Sequence, residues 1–120
     1  MSCYLAKYGY MEDGSALTPC DGQLVRAHLI PRQLLKRQFP RGHTFRNGQH
    51  LSVDQLIDHP ATWVACCGGL TGIGGHHGHF DFSKRLRLHR RQLPAMTEAF
   101  ARELQIEWHL DHAYGLLIRG

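Results

Sequence analysis

The chain has no run of about 18 apolar residues, so no segment of it reads as a membrane-spanning helix. Its first residues, Met1-Ser2-Cys3-Tyr4-Leu5, lack the basic patch and apolar stretch of a secretion signal. A cytoplasmic protein with no membrane partner is the expectation. Internal repeats and low-complexity tracts are missing too, which sets aside solenoids and compositionally biased, disordered chains. With 120 residues, 42% of them hydrophobic and 20% charged, the chain suits one compact domain better than two.

Acidic residues are absent from two stretches. Between Asp21 and Asp54 lie Arg26, Arg32, Lys36, Arg37, Arg41 and Arg46, and between Asp81 and Glu98 lie Lys84, Arg85, Arg87, Arg90 and Arg91. Eleven of the 14 basic residues therefore sit where no acid is near in sequence, a segregation that the net charge of +4 conceals. Two solvated faces are one reading. Phosphate neutralisation is the other, because clustered Arg and Lys release counterions from a nucleic-acid backbone, and nucleic acid is the leading partner.

Histidine, in contrast, is abundant, with ten residues in a short chain. Imidazole can ligate metals, accept protons and contact phosphate near neutral pH. The segment Gln23 to Ile30 is apolar and β-branched and stops at Pro31, which predicts a strand delivering His28 near its end. A short helix over Gln33–Gln38 closes at Pro40, and a polar loop runs from Arg41 to Gln49. Ser52 can cap a second short helix with Val53, Leu56 and Ile57 on one face. Thr62-Trp63-Val64-Ala65-Cys66 predicts a second strand running into the glycine-rich turn from Gly68 to Gly75. After that turn, His77 and Asp81 stand at i and i+4 and would share a helix face. Pro94 opens a last helix in which Met96, Phe100 and Leu104 predict a core stripe, while residues 1–20 read as an irregular or hairpin-like lead-in. Apart from His28 and the group at 76, 77 and 79, the histidines have no spacing logic and are expected on the surface.

The order strand, strand, glycine turn, His-rich helix start resembles the HNH nuclease family, in particular small phage and actinobacterial HNH-like proteins. The likeness rests on Arg26-Ala27-His28-Leu29-Ile30-Pro31, Thr62-Trp63-Val64-Ala65-Cys66 and Gly75-His76-His77-Gly78-His79-Phe80-Asp81, and extends loosely through Leu93-Pro94 and Trp108 to Tyr114. It implies an α+β fold with a small ββα-metal (His-Me finger) core over about residues 23–83, additional short helices and a C-terminal helical extension over 94–114, all in one domain spanning 1–120. It implies a metal-dependent endonuclease that hydrolyses phosphodiester bonds in DNA, with His28 as general base. One divalent ion would lie between hairpin and helix on His77 and Asp81, with His76 as the next ligand, and Mg2+, Mn2+, Ni2+ and Zn2+ all suit such a set.

Two positions depart from the family pattern. Ala27 stands where many members carry a metal-binding acid or histidine, and Thr62 stands where the family's middle asparagine orients the base through its backbone. Thr62 is taken into the catalytic group as the source of a hydroxyl or carbonyl, with Asn47 on the connecting loop as the other option. Arg32, Lys36, Arg37, Lys84, Arg85 and Arg87 are the candidate nucleic-acid contacts. Cys3, Cys20, Cys66 and Cys67 form no C-x2-C pair. They are expected as buried free thiols or, as in some relatives, with Cys3, Cys20 and Cys66 on a structural Zn2+ beside the hairpin. Two other functions remain open: a catalytically impaired HNH-like nucleic-acid-binding module, and a small phage protein-interaction accessory domain. A chain this short has few surfaces to grip a duplex, so a homodimer or a larger nucleic-acid-processing complex of phage or host is a natural setting.

Overall fold

The two strands anticipated from the apolar runs pair with each other. In the computed structural model, which describes residues 3–17, 19–20, 22–68, 76 and 86–114, β2 (Leu24–His28) lies antiparallel to β5 (Trp63–Cys67). Leu24 stands opposite Cys67 and His28 opposite Trp63. Strand alternation then sorts the side chains. Ala27, Val64 and Cys66 enter the core, whereas Arg26, His28 and Trp63 share the other face.

Around this hairpin the fold is a mixture of short helices and two-stranded antiparallel sheets, as the α+β expectation required. Helix α1 (Tyr4–Tyr8) packs on β5, and β1 (Tyr10–Met11) pairs with β6 (Leu86–Arg87). The lead-in is thus more ordered than its sequence announces, because its one helical turn is held by tertiary contacts and leaves no periodic signature. Helix α2 (Arg32–Gln38) starts directly after Pro31, whose fixed φ suits the position before a first turn. The polar loop contains a small hairpin, β3 (His43–Thr44) with β4 (His50–Leu51). Gly42 before it has φ +79°, and a Cβ there would sit 2.1 Å from the Leu51 carbonyl oxygen.

Helix α3 (Val53–Asp58) carries the expected cap. The Ser52 hydroxyl accepts from the Gln55 N–H, and the Gln55 side chain accepts from the Ser52 N–H. Its apolar side buries Leu56 and Ile57, and a 3-10 turn (Pro60–Thr62) leads into β5. Helix α4 (Ala95–Glu103) packs on that turn, with the Thr97 hydroxyl donating to the Ala61 carbonyl at 2.7 Å. Its buried face is Thr97, Phe100, Ala101 and Leu104, an i, i+3, i+4, i+7 set. Met96 lies off that set and is 53% exposed, so the predicted stripe holds at Phe100 and Leu104 and fails at Met96.

Helix α5 (Glu107–Tyr114) completes the C-terminal extension, which is two helices rather than one. Arg90 ties it down by pairing with Glu98, Glu107 and Asp111. Full burial of Leu29, Leu35, Leu56 and Leu110 supplies about 1.5–3 kcal/mol each. Among the described residues no helix is long and apolar enough to cross a membrane.

Candidate functional site

The β2–β5 hairpin carries a distinct chemical group at each end. At the Cys67 end, Cys3 just before α1, Cys20, Cys67 on the last position of β5 and His76 beyond it bring their ligand atoms within 4.8 Å of one another. The Cys3 Sγ is 3.9 Å from the Cys67 Sγ and 3.3 Å from the His76 Nδ1, and the Cys20 Sγ is 3.8 Å from the same Nδ1. A tetrahedral ion with bonds of about 2.3 Å to sulfur and 2.0–2.1 Å to nitrogen needs edges of about 3.5–3.8 Å. The donors are therefore close enough to hold a metal ion without rebuilding the backbone.

Proton affinities in the cluster tell the same story. Burial opposes ionisation of Cys3, but the Cys67 N–H, the His76 ring and the Ala6 N–H outweigh it and bring the thiol down to about 7. Partial desolvation, together with the Cys67 and Cys3 sulfurs, pushes Cys20 up to about 11. Sulfurs this close cannot all carry negative charge unless a cation joins them. Cys66, expected as the third sulfur, is not in the group: it points into the core, and burial pushes its thiol up to about 12. Strand alternation gives Cys67 the face that meets Cys3 and His76. No short spacing signals this set, since its members stand at 3, 20, 67 and 76; the family resemblance pointed to Cys3 and Cys20, but not to Cys67 or His76.

At the opposite end, His28 is half-buried, with its Nε2 3.1 Å from the Ile57 carbonyl oxygen. A carbonyl can only accept, so Nε2 carries the proton, and Nδ1 of the neutral ring keeps its lone pair. Burial, then the Arg32 and Arg26 cations, push this imidazole below the ordinary histidine value, against the Ile57 carbonyl and the Asp58 carboxylate. Arg26 lies over the Trp63 ring at 4.4 Å and reaches Asp58 at 3.7 Å, and the Trp63 indole N–H donates to the Asp58 carbonyl.

Thr62 acts through the backbone. It is fully buried, and its hydroxyl meets the Ile57 carbonyl at 2.9 Å and the His59 carbonyl at 2.8 Å. Its own carbonyl accepts from the Leu29 and Ile30 N–H groups, which pins the turn between β2 and α2. Thr62 and His28 thus meet the same Ile57 carbonyl. Asn47 is not near this arrangement in role: its side-chain oxygen accepts from the Gln49 N–H within the β3–β4 turn.

His76, expected as the next ligand after His77 and Asp81, does not lie at the His28 end. His76 belongs to the cysteine cluster, and Cys67 and His28 lie at opposite hairpin ends, four residue steps or about 13 Å apart. His77, Asp81, Lys84 and Arg85 lie outside the described residues, as does the helix start expected there. Arg32, Lys36 and Arg37 are exposed along α2, whereas Arg87 is engaged with Glu12 at 3.3 Å. Among the remaining histidines, His50 and His112 are exposed as expected, but His43, His59, His89 and His109 are half-buried. His59 stacks on Phe100 and caps the 3-10 turn, and His89 stacks on Tyr10, so these two rings serve packing.

Comparison with protein-family models, with curated proteins and with solved structures gives no match to this chain.

Proposed function

We propose that the protein is a zinc-stapled nuclease domain of the HNH type, which hydrolyses phosphodiester bonds in DNA with a divalent metal and uses His28 as general base. The observation that carries this reading is the state of His28. Burial and the Arg32 and Arg26 guanidinium groups disfavour its protonated form, Nε2 is tied to a backbone carbonyl, and Nδ1 of the neutral ring can take a proton from water. A strand histidine kept only for packing has no need of two neighbouring cations.

Two ions with separate tasks fit the residues better than one. Cys3, Cys20, Cys67 and His76 are a soft, four-donor set suited to zinc, and four protein ligands leave no position for water or substrate, so this ion is structural. The catalytic ion belongs to His77 and Asp81 by their spacing, where it would stabilise charge on the scissile phosphate and the leaving oxygen. His28 then removes the proton from the attacking water, with Thr62 and Ile57 holding its ring in place, and the exposed Arg32, Lys36 and Arg37 of α2 hold the strand. The test is plasmid nicking with magnesium or manganese by zinc-loaded protein. Activity is expected to fall by about 10²–10⁴-fold in His28→Ala while circular dichroism and zinc content stay unchanged. Intact supercoiled DNA with every divalent metal supplied would overturn the enzymatic reading and leave the impaired, binding-only module motivated by Ala27.

A further inference from the structure

We infer that Arg26, held over the Trp63 indole beside His28, is a phosphate-gripping residue of this site and that Asp58 is the placeholder it releases when a nucleic-acid backbone arrives. The inference rests on the nuclease reading for its setting, but its chemistry is independent of cleavage.

Arg26 and His28 are two residues apart on one strand and therefore face the same way, and Trp63 is the cross-strand partner of His28. The indole cannot rotate freely, because its N–H is bonded to the Asp58 carbonyl at 3.1 Å. It forms a fixed platform, with the Arg26 guanidinium 4.4 Å from the ring centroid. The indole covers one side of the guanidinium, and the fork of N–H donors that reaches Asp58 can take a bidentate oxyanion instead.

The partner now at that edge is weak. Asp58 meets Arg26 at 3.7 Å with a single oxygen, and the two side chains are 76% and 55% exposed, so water screens the pair. A phosphodiester offers two non-bridging oxygens to the fork and loses counterions on binding. Exchange of Asp58 for phosphate would turn Arg26 along its platform and place the anion between Arg26 and Arg32, the two cations acting on His28. The sequence pattern assigned phosphate contacts to α2 and to the stretch after Asp81. It passed over Arg26 because nothing linear shows that a strand arginine is stacked.

The experiment measures binding of a short labelled DNA duplex to zinc-loaded protein with no magnesium or manganese added, across a salt series, in a Trp108→Phe background that leaves Trp63 as the lone indole. Arg26→Ala should weaken binding about tenfold and reduce the slope of log affinity against log salt by about one. The change in Trp63 emission on DNA addition should disappear with it. Asp58→Ala should tighten binding several-fold, and by less when Arg26 is also removed. Arg26→Lys should recover only part of the affinity. An unchanged salt slope in Arg26→Ala overturns the inference even if the wild-type protein nicks DNA. Full recovery by lysine overturns the stacked-fork role, and inorganic phosphate reproducing the whole emission change at equal concentration overturns the nucleic-acid source. If the wild-type protein never nicks DNA yet shows the Arg26-dependent slope, the nuclease reading falls and this inference holds.

Discussion

The two ends of the β2–β5 hairpin are built from the same ladder and arrive at opposite electrostatic solutions. At the Cys67 end, three sulfurs and an imidazole converge from distant parts of the chain, and Cys3, Cys67 and His76 are buried there. At the His28 end, one imidazole is half-buried among exposed charges, and its Nε2 donates to a main-chain oxygen. Saturated coordination favours rigidity, and partial exposure favours chemistry. A domain of this size has a modest core, so an ion held at one end of its central hairpin would relieve the other end of any duty to hold the fold together.

The largest effect expected follows from removing the staple. Structural zinc contributes on the order of 10 kcal/mol to the folding of small domains, so chelation, or Cys67→Ala, should abolish the cooperative thermal transition. Cys66→Ala should instead keep one zinc per chain by elemental analysis and lose only the few kcal/mol of a core truncation. A metal content that survives loss of Cys67 but not of Cys66 reverses the assignment. The other end should show the converse pattern. His28→Ala is expected to lower the nicking rate by about 10²–10⁴-fold while the melting temperature stays close to that of wild type. Equal damage to stability at both ends would erase the division of labour.

How much of this was legible beforehand differs between the two ends for a physical reason. His28, the hairpin strands, the Ser52 cap and the Pro94 start are local signals: an apolar run stopped by proline, a hydroxyl three residues before a glutamine, a residue with fixed φ. The cysteine cluster is non-local. Four ligands spread over 73 positions leave no spacing rule to read, and choosing between the adjacent Cys66 and Cys67 needs the register that sets which face each occupies. The orienting oxygen on His28 was hidden for a different reason. It belongs to the main chain of Ile57, so side-chain identity at that position carries no trace of it.

Thr62 provides an intermediate test. Thr62→Val keeps the shape and removes the hydroxyl, so two buried carbonyl contacts are lost at a cost of about 1–3 kcal/mol in chemical denaturation. Because the Ile57 carbonyl also holds His28, nicking should fall with kcat affected more than KM. Thr62→Ser, which restores the hydroxyl, should recover kcat. A stability loss with unchanged kcat would confine Thr62 to the fold.

Acid sensitivity should be smaller and has a definite sign. His28, His59 and His109 all have lowered pKa values, with burial as the first cause of each. The unfolded chain, with histidines near 6.5, therefore binds protons that the folded chain refuses, and stability falls as pH drops through and below about 6.5. At the zinc end acid also competes with the metal, so the His28 share is isolated by comparing wild type with His28→Ala at constant zinc loading. The variant should have the shallower stability–pH slope. For activity, the acid limb should lie below the ordinary histidine value, and Arg32→Ala should move it upward in kcat, since a cation that disfavours the protonated ring is gone.

The smallest effect separates backbone orientation from the asparagine that the family pattern would supply. The Asn47 side-chain oxygen accepts from the Gln49 N–H in the turn of the β3–β4 hairpin, where Gly48 adopts φ +87°. Asn47→Ala should cost no more than about 1 kcal/mol and leave both kcat and the acid limb where they were. That indifference is informative beside Thr62→Val, because each substitution deletes one polar side chain from the connection between β2 and β5. If Asn47→Ala silences nicking while the melting curve is unmoved, the loop must reach His28 in the working state. The Ile57 carbonyl would then be a resting contact, and the His28 end would owe its geometry to a side chain after all.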